Sequence, residues 1–312
     1  MTRVCYIGGF GRSGSTLLER ILAQATGACA LGEVVWVWER GLLHDERCGC
    51  GERFSRCGFW QAIGDEAFGG WSQVDALALD QWRRSVDRIR NAPVLASRRA
   101  RHRRAVGYSS YPAAIYAAAR KLTGAPVVID SSKHPSLAFA LRLNPRIDLR
   151  VIHLVRDSRG VAYSWTKTME RPEASQASPT GLMTTYPPYR SAMLWNAGNL
   201  AFGLLGAVDG ATRRLRYEDL LAEPFKTIAE LGRFIGAEAC PSRAFRDERT
   251  VDLQPAHQIS GNPARLRTGL TPLEEDDAWH TSLDARHRRT VSALTLPLLA
   301  GYGYLRPTRS RT

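Results

Sequence analysis

The apolar positions of the chain fall into two patterns, short continuous runs and helical spacings. Residues 4–7 are a continuous apolar run that stops at Gly8, Gly9, Gly11 and Gly14. Beyond these glycines, Leu17, Leu18, Ile21, Leu22 and Ala25 lie on one face of a helix, which Gly27 is suited to end. The first unit therefore reads strand, glycine loop, helix. Residues 28–31 are a short strand candidate, and Val34 to Trp38 lies in a second helix that Glu33 precedes. Residues 60–124 are helical in pattern, with Pro93 and Pro112 as breaks. Two buried-type strands follow, at 126–130 and 149–155, and each ends in a polar cluster. Val161 and Trp165 mark a helix after the second. Residues 171–189 hold four prolines and little periodicity, which reads as a loop and a candidate lid over an acceptor. A helix over 191–208, a strand over 213–216 and a helix from Tyr217 through Ile235 come next. After Val251 a loop carries His257, Gly261, Asn262, Pro263, Arg265 and Arg267. Residues 279–299 are helical, and 306–312 read as a frayed tail. No repeat or linker divides the chain, so 1–312 reads as one domain.

Composition narrows the class. At 312 residues, 44% hydrophobic and 23% charged, the chain is long enough for a sizeable core. No stretch approaches the roughly 20 apolar residues that span a bilayer. The glycines also interrupt any signal-peptide core, so a cytoplasmic enzyme is the expectation. A net charge of +13 calls for an anionic partner: nucleic acid, an acidic membrane or a highly phosphorylated cofactor. The densest basic run, Arg98 to Arg104, reads as a solvated basic loop. Three of the six cysteines cluster as Cys48, Cys50 and Cys57. With His44 they offer a zinc site, yet no paired C-x-x-C is present; a disulfide is disfavoured in the cytosol. Reduced loop cysteines and no metal are expected.

The chemistry concentrates at strand ends. A glycine loop before a helix aims backbone N–H groups and a helix dipole at one point, which suits an anion. Arg12, Ser13, Ser15 and Thr16 add a cation and three hydroxyls around Gly14. Three families own such loops. The nucleotide P-loop needs a lysine where Ser15 stands, the dinucleotide fingerprint fits the glycine spacing, and a sulfotransferase carries its cation earlier, at Arg12. Glu33 suits a ribose ligand, a general base beside the anion, or the first charge of the next helix. Lys133 can neutralise developing charge, and His134 is a candidate base. Arg156 leaves a strand and Ser164 lies two turns into the following helix, a second phosphate-like site that a simple dinucleotide fold does not require.

Together these pieces resemble the sulfotransferases that use 3′-phosphoadenosine-5′-phosphosulfate (PAPS), above all the bacterial members and the carbohydrate and tyrosylprotein branches. Residues 12–16 are similar to the family's 5′-phosphosulfate loop, and Arg156 with Ser164 to its 3′-phosphate motif. Tyr217 resembles the tyrosine near the adenine. Residues 260–265, ending at Arg265, resemble the C-terminal loop over the cofactor. Residues 131–133 look like the lysine-bearing strand exit, and Glu33 falls where the tyrosylprotein branch keeps its catalytic carboxylate. The cytosolic small-molecule branch differs: it spaces lysine and histidine as Lys-x-His, whereas Lys133 and His134 are adjacent here, and it carries lysine in the first loop.

The resemblance implies an α/β fold, three-layered and P-loop-NTPase-like, with a central parallel sheet flanked by helices. Residues 60–124 would be a helical insertion, and 252–312 the cofactor-covering loop and helix. It implies sulfuryl transfer from PAPS to an acceptor hydroxyl on a small molecule, sugar or peptide, with no nucleic-acid partner. Glu33, Lys133, Arg12 and His134 would be catalytic, the base being Glu33 or His134. Arg12, Ser13, Gly14, Ser15, Thr16, Arg156, Ser164, Tyr217 and Arg265 would hold the donor. Sulfuryl carries less charge than a terminal phosphoryl group, so fixed cations can replace magnesium. A magnesium-dependent small-molecule kinase and a basic nucleic-acid-binding protein are the alternatives. Trp36, Trp38, Trp60, Trp82 and Tyr186 are candidates to stack on an acceptor or to fill the core.

Overall fold

Five parallel strands carry the polar clusters to one edge of a sheet. The computed structural model describes residues 1–96, 102–170 and 182–305. The basic run at 98–104 lies partly outside these residues, as do most of the candidate lid at 171–189 and the tail at 306–312. Strand β1 (Thr2–Gly9) leads into helix α1 (Ser15–Thr26), then β2 (Cys29–Ala30). Among the described residues, the α-helices between β2 and the next strand are α2 (Gly58–Phe68), α3 (Ala76–Val86), α4 (Ala92–Ala96) and α5 (His102–Thr123). Next come β3 (Val128–Lys133), α6 (Pro135–Arg142), β4 (Ile147–Val155), α7 (Ser158–Thr166) and α8 (Pro188–Val208). The chain continues through β5 (Thr212–Arg216), α9 (Tyr217–Ala222) and α10 (Pro224–Ile235). Strands β6 (Phe245–Asp247), β7 (Thr250–Leu253) and β8 (Gly269–Pro272) precede α11 (Trp279–Ser282) and α12 (Ala285–Gly301).

The large sheet has the order β2-β3-β1-β4-β5, with every neighbour parallel. Val4 to Ile7 are fully buried because both faces of the sheet are covered, which explains their unbroken apolar run. One face packs on α1, α9 and α10 through Leu18, Ile21, Leu22, Leu220, Ile228 and Leu231. The other packs on α5, α6 and α8 through Ile115, Tyr116, Leu137, Phe139 and Phe202. This is the expected three-layer α/β fold. The chain steps from β1 across β3 to the edge, returns, and then crosses to β4 on the far side. Ligands in open parallel sheets bind where the order reverses, at the carboxyl ends of the strands. Gly9, Lys133, Val155 and Arg216 end their strands on that edge.

Several boundaries differ from expectation. Pro112 lies inside α5 and does not break it. Ile115, Tyr116 and Ala119 behind it are fully buried, and that packing outweighs one lost hydrogen bond. The helix expected from Tyr217 to Ile235 is two helices, divided at Glu223-Pro224 because the residue before proline avoids helical angles. The helix expected around Val34 to Trp38 is a 3₁₀ turn at Val34–Trp36 followed by a π-helix at Val37–Leu43. The region beyond Val251, expected to be loop, contributes to an antiparallel sheet, β6-β7-β8. Strand β3 runs three residues further than its apolar stretch and ends on Lys133. Trp38 and Trp60 are core residues, whereas Trp36, Trp82 and Tyr186 are half-buried.

Candidate active site

The loop after β1 is held from two sides. Gly14 stands at the N-terminus of α1 with φ of 89°, and a Cβ there would meet the Tyr217 ring at 2.4 Å. Only glycine accepts both the left-handed angle and that contact. Two main-chain carbonyls of the loop are gripped: Trp165 Nε1 donates to Gly11 at 3.2 Å, and Arg156 Nη1 to Arg12 at 3.2 Å. The Arg156 guanidinium also lies 5.0 Å from the Tyr217 ring centroid. Thus Gly14, Arg12, Arg156 and Tyr217 share one crevice. Ser164 lies on α7 beside it, half-buried.

Several polar groups in the crevice lack the partners their chemistry suits. The Arg12 guanidinium meets the thioethers of Met169 at 2.8 Å and Met183 at 3.7 Å, and lies 5.1 Å from the Trp165 ring centroid. A thioether is a weak acceptor for a cation. The Ser13 hydroxyl is buried and has no hydrogen-bond partner among the described residues. Arg156 Nη2 pairs with Asp276 at 3.2 Å, and Lys167 approaches the same carboxylate oxygen at 3.6 Å. A carboxylate therefore sits between two cations where the sequence expects a phosphate.

On the other side of β1, the exits of β2 and β3 bring Glu33 onto Lys133, which also donates to the Ser131 carbonyl at 3.0 Å. Lys133 has a φ of 68°, rare for a residue with a side chain, at a break in the β1-β3 register. Burial alone would raise the Glu33 carboxyl. Lys133, Arg40 and His134 outweigh it and hold the group below its ordinary range. At Gly261 a Cβ would lie 3.0 Å from Glu33 Oε1 and 3.7 Å from the Thr16 hydroxyl, so the C-terminal loop joins Glu33 to the β1 loop. Glu33 also acts electrostatically on Arg12.

Two predicted residues face elsewhere. His134 turns Nδ1 to Asp87 and meets Trp36 edge-on, with centroids 5.6 Å apart. Arg265 is nearly enclosed and donates to the Arg47 carbonyl at 3.1 Å. It braces the C-terminal loop from inside.

Sequence reasoning missed the groups that hold this loop in place. Glu19, inside α1 and fully buried, accepts from Gly32 N at 2.7 Å, Ser131 Oγ at 2.6 Å and Gln258 Nε2 at 2.5 Å. Burial pushes its carboxyl up to about 7 against those bonds. Arg20 donates to the carbonyls of Ala264 and Gln254, both at 2.9 Å. Ile259 pairs with the β2 exit, receiving Glu33 N at 2.9 Å and donating to Leu31 O at 2.8 Å. Gly32 permits this approach, since a Cβ there would lie 2.4 Å from the Ile259 carbonyl. The signal available was two adjacent charges, Glu19 and Arg20, in the middle of a helix with no other charged residue.

The profile of the sulfotransferase family matches residues 5–241, a span that includes both strand-exit clusters. The chain belongs to the sulfotransferase family. Among solved structures, the sulfotransferase domain from the curacin biosynthetic pathway is 17% identical with a TM-score of 0.52, covering 95% of this chain and 98% of that one. The sulfotransferase domain of the Synechococcus PCC 7002 olefin synthase is 19% identical with a TM-score of 0.49, covering 95% and 94%. No curated protein matches the chain. Among the described residues, no helix is long and apolar enough to cross a membrane.

Proposed function

We propose that this sulfotransferase moves the sulfuryl group of PAPS to an acceptor hydroxyl by in-line displacement, with Glu33 as base. The observation that carries the reading is the Arg156 hydrogen bond to the Arg12 carbonyl, which makes two cation-and-hydroxyl nests one site. The donor fits the chain's own groups. Arg12 faces soft sulfur, Ser13 Oγ is buried without a partner among the described residues, and Arg156 and Lys167 share a carboxylate that a phosphate can replace.

In this reading the bound donor supplies an electrophilic sulfuryl group and leaves as adenosine 3′,5′-bisphosphate. Arg12, Ser13, Ser15, Thr16 and the amides at Gly14 hold its 5′ end. Arg156 and Ser164 hold the 3′-phosphate, with Tyr217 between the two on the adenine side. Lys133 offsets charge on the leaving oxygen. Glu33, ionised and 8% exposed, takes the acceptor proton as the new bond forms. A carboxylate held this low is a weak base for a resting alcohol. It suffices late in transfer, when the hydroxyl has become acidic. His134, engaged by Asp87, orients the acceptor side next to Trp36. Arg265 acts through the loop it braces. These fixed cations do the work that magnesium does in phosphoryl transfer, so no divalent ion is needed for the chemistry. The acceptor is a hydroxyl-bearing small molecule, sugar or peptide.

Calorimetric titration with adenosine 3′,5′-bisphosphate and with ATP–magnesium tests this, together with radiolabelled PAPS offered to a panel of sugars, phenols and peptides. Binding of the bisphosphate, and transfer that proceeds with no magnesium added, is the expected result. Binding of ATP–magnesium in its place would overturn the assignment in favour of a kinase.

A further inference from the structure

Away from the crevice, three thiols and an imidazole meet at one point. Cys48, Cys50, Cys57 and His257 each present one ligand atom, and the four atoms lie within 4.8 Å of one another. The histidine is His257, brought from the far end of the chain; His44 is not part of the group. We propose that these four residues form a tetrahedral zinc site that fastens the C-terminal loop to the segment around Cys48.

The spacing is that of a coordination shell. Zinc bonds of about 2.3 Å to sulfur and about 2.05 Å to nitrogen, at tetrahedral angles, put sulfurs about 3.75 Å apart and sulfur about 3.55 Å from nitrogen. Cys50 Sγ lies 3.7 Å from Cys57 Sγ, and His257 Nδ1 lies 3.4 Å from Cys57 Sγ and 3.8 Å from Cys48 Sγ. A disulfide needs about 2.05 Å between sulfurs, and all six cysteines are free. Three thiolates and one imidazole are a closed ligand set of structural zinc type.

Each ligand is held by its surroundings. Gly51 N donates to the Cys48 carbonyl at 2.9 Å and Cys48 N to Glu52 at 2.8 Å, a tight turn around Cys50. Cys57 precedes the first residue of α2, where the helix dipole favours a negative sulfur. Phe59 stacks on the His257 ring with centroids 4.6 Å apart, and Trp60 Nε1 donates to the His257 carbonyl at 3.0 Å. On binding, three thiol protons pass to solvent and the site keeps one net negative charge.

The metal's place in the chain explains what it does. His257 is followed by Gln258, whose carbonyl accepts from Gly49 N at 2.9 Å, and by Ile259, which pairs with the exit of β2. A metal here ties the Gly261 loop beside Glu33 to residues some two hundred positions earlier. It serves position, not chemistry, and it does not depend on the donor or acceptor of the transfer reaction.

The test uses the untagged full chain, purified under reducing conditions from zinc-supplemented medium. Atomic emission is expected to find about one zinc per chain. Exchange with cobalt is expected to give the thiolate charge-transfer and visible bands of a tetrahedral site, and His257→Ala to shift or abolish them. Cys240→Ser, at an exposed thiol outside the cluster, is expected to leave both results unchanged. Because Cys57→Ser can fail to fold, thiol reactivity of the wild-type chain is the second readout. Cys48, Cys50 and Cys57 are expected to react only after a chelator is added. A folded, reduced chain that retains no zinc and gains none on reconstitution overturns the proposal. So does a Cys50–Cys57 disulfide in the native protein by mass spectrometry.

Discussion

Arg156 donates through Nη1 to the main-chain carbonyl of Arg12, 3.2 Å away, and so joins the exit of β4 to the loop after β1. The same guanidinium covers Tyr217, whose ring fills the space that a side chain at position 14 would need. One residue thus both shapes the loop and presents charge to the crevice.

Replacing Arg156 is therefore expected to remove bisphosphate affinity rather than to slow chemistry alone. Arg156→Ala should weaken adenosine 3′,5′-bisphosphate by about 2–3 kcal/mol, some 30- to 150-fold, in a calorimetric titration. Arg156→Lys should recover only part of this, because an ammonium lacks the planar fork. Unchanged affinity in Arg156→Ala would end the second-nest assignment.

Glu33 and Lys133 give a kinetic prediction. Glu33→Gln should lower kcat by about 10²- to 10⁴-fold and leave bisphosphate affinity nearly unchanged. In the proposed reaction the base works in its ionised form, and the Glu33 pKa is held below the ordinary value. Activity should therefore stay flat as pH falls toward about 4.3 and drop only below it. A Glu33→Gln variant that keeps its kcat, with His134→Ala losing it, would instead identify His134 as the base.

Asp276 pairs with Arg156 and lies 3.6 Å from Lys167, and in the proposed site it would compete with the 3′-phosphate for both cations. Its pair with Arg156 is part-exposed, so its removal frees at most about 1 kcal/mol. Asp276→Asn should tighten bisphosphate binding a few-fold and steepen its dependence on salt. Weaker binding would mean that the carboxylate orients Arg156 and does not compete.

Two buried carboxyls make stability fall as pH rises, against the buried His153, whose pKa burial lowers to about 4 and which makes stability rise toward its unfolded value of about 6.5. Burial pushes Glu19 to about 7 and Asp130 to about 6, above their unfolded values of about 4.3 and about 3.9. The folded chain then holds protons that the unfolded chain has released. The stabilisation is fully present below the unfolded pKa values and is lost as pH rises through about 6 and about 7. The contribution of these two groups to the urea unfolding free energy should fall from about pH 4 to about pH 6 for Asp130 and to about pH 7 for Glu19, by up to about 1.4 kcal/mol per pH unit for each group. Glu19→Gln should flatten that slope even if it lowers stability at every pH. An unchanged slope would mean that Glu19 titrates elsewhere.

Much of the fold was legible because its signals are local. An apolar run, a glycine loop and a helical face identify β1, the turn after it and α1 within 26 consecutive residues, and Gly27 ends the helix as expected. Arg156 at a strand exit needed only its neighbours to be found, as did Lys133. The break before Pro224 was equally local but was masked by a helical spacing that continues on both sides of it.

What the sequence determined by itself was the order along the chain of the strands of the large sheet, and which of its cations and hydroxyls stand at strand ends. Those properties depend on residues a few positions apart, where backbone sterics and side-chain period act directly. Only the tertiary structure decided that Glu33 meets Lys133, that Glu19 lies buried beneath the C-terminal loop, and that His257 joins three thiols near residue 50. Contacts between distant segments leave no periodic trace in either segment. They are chosen by the burial of whole faces of the sheet and by loops that must satisfy their backbone hydrogen bonds where they land.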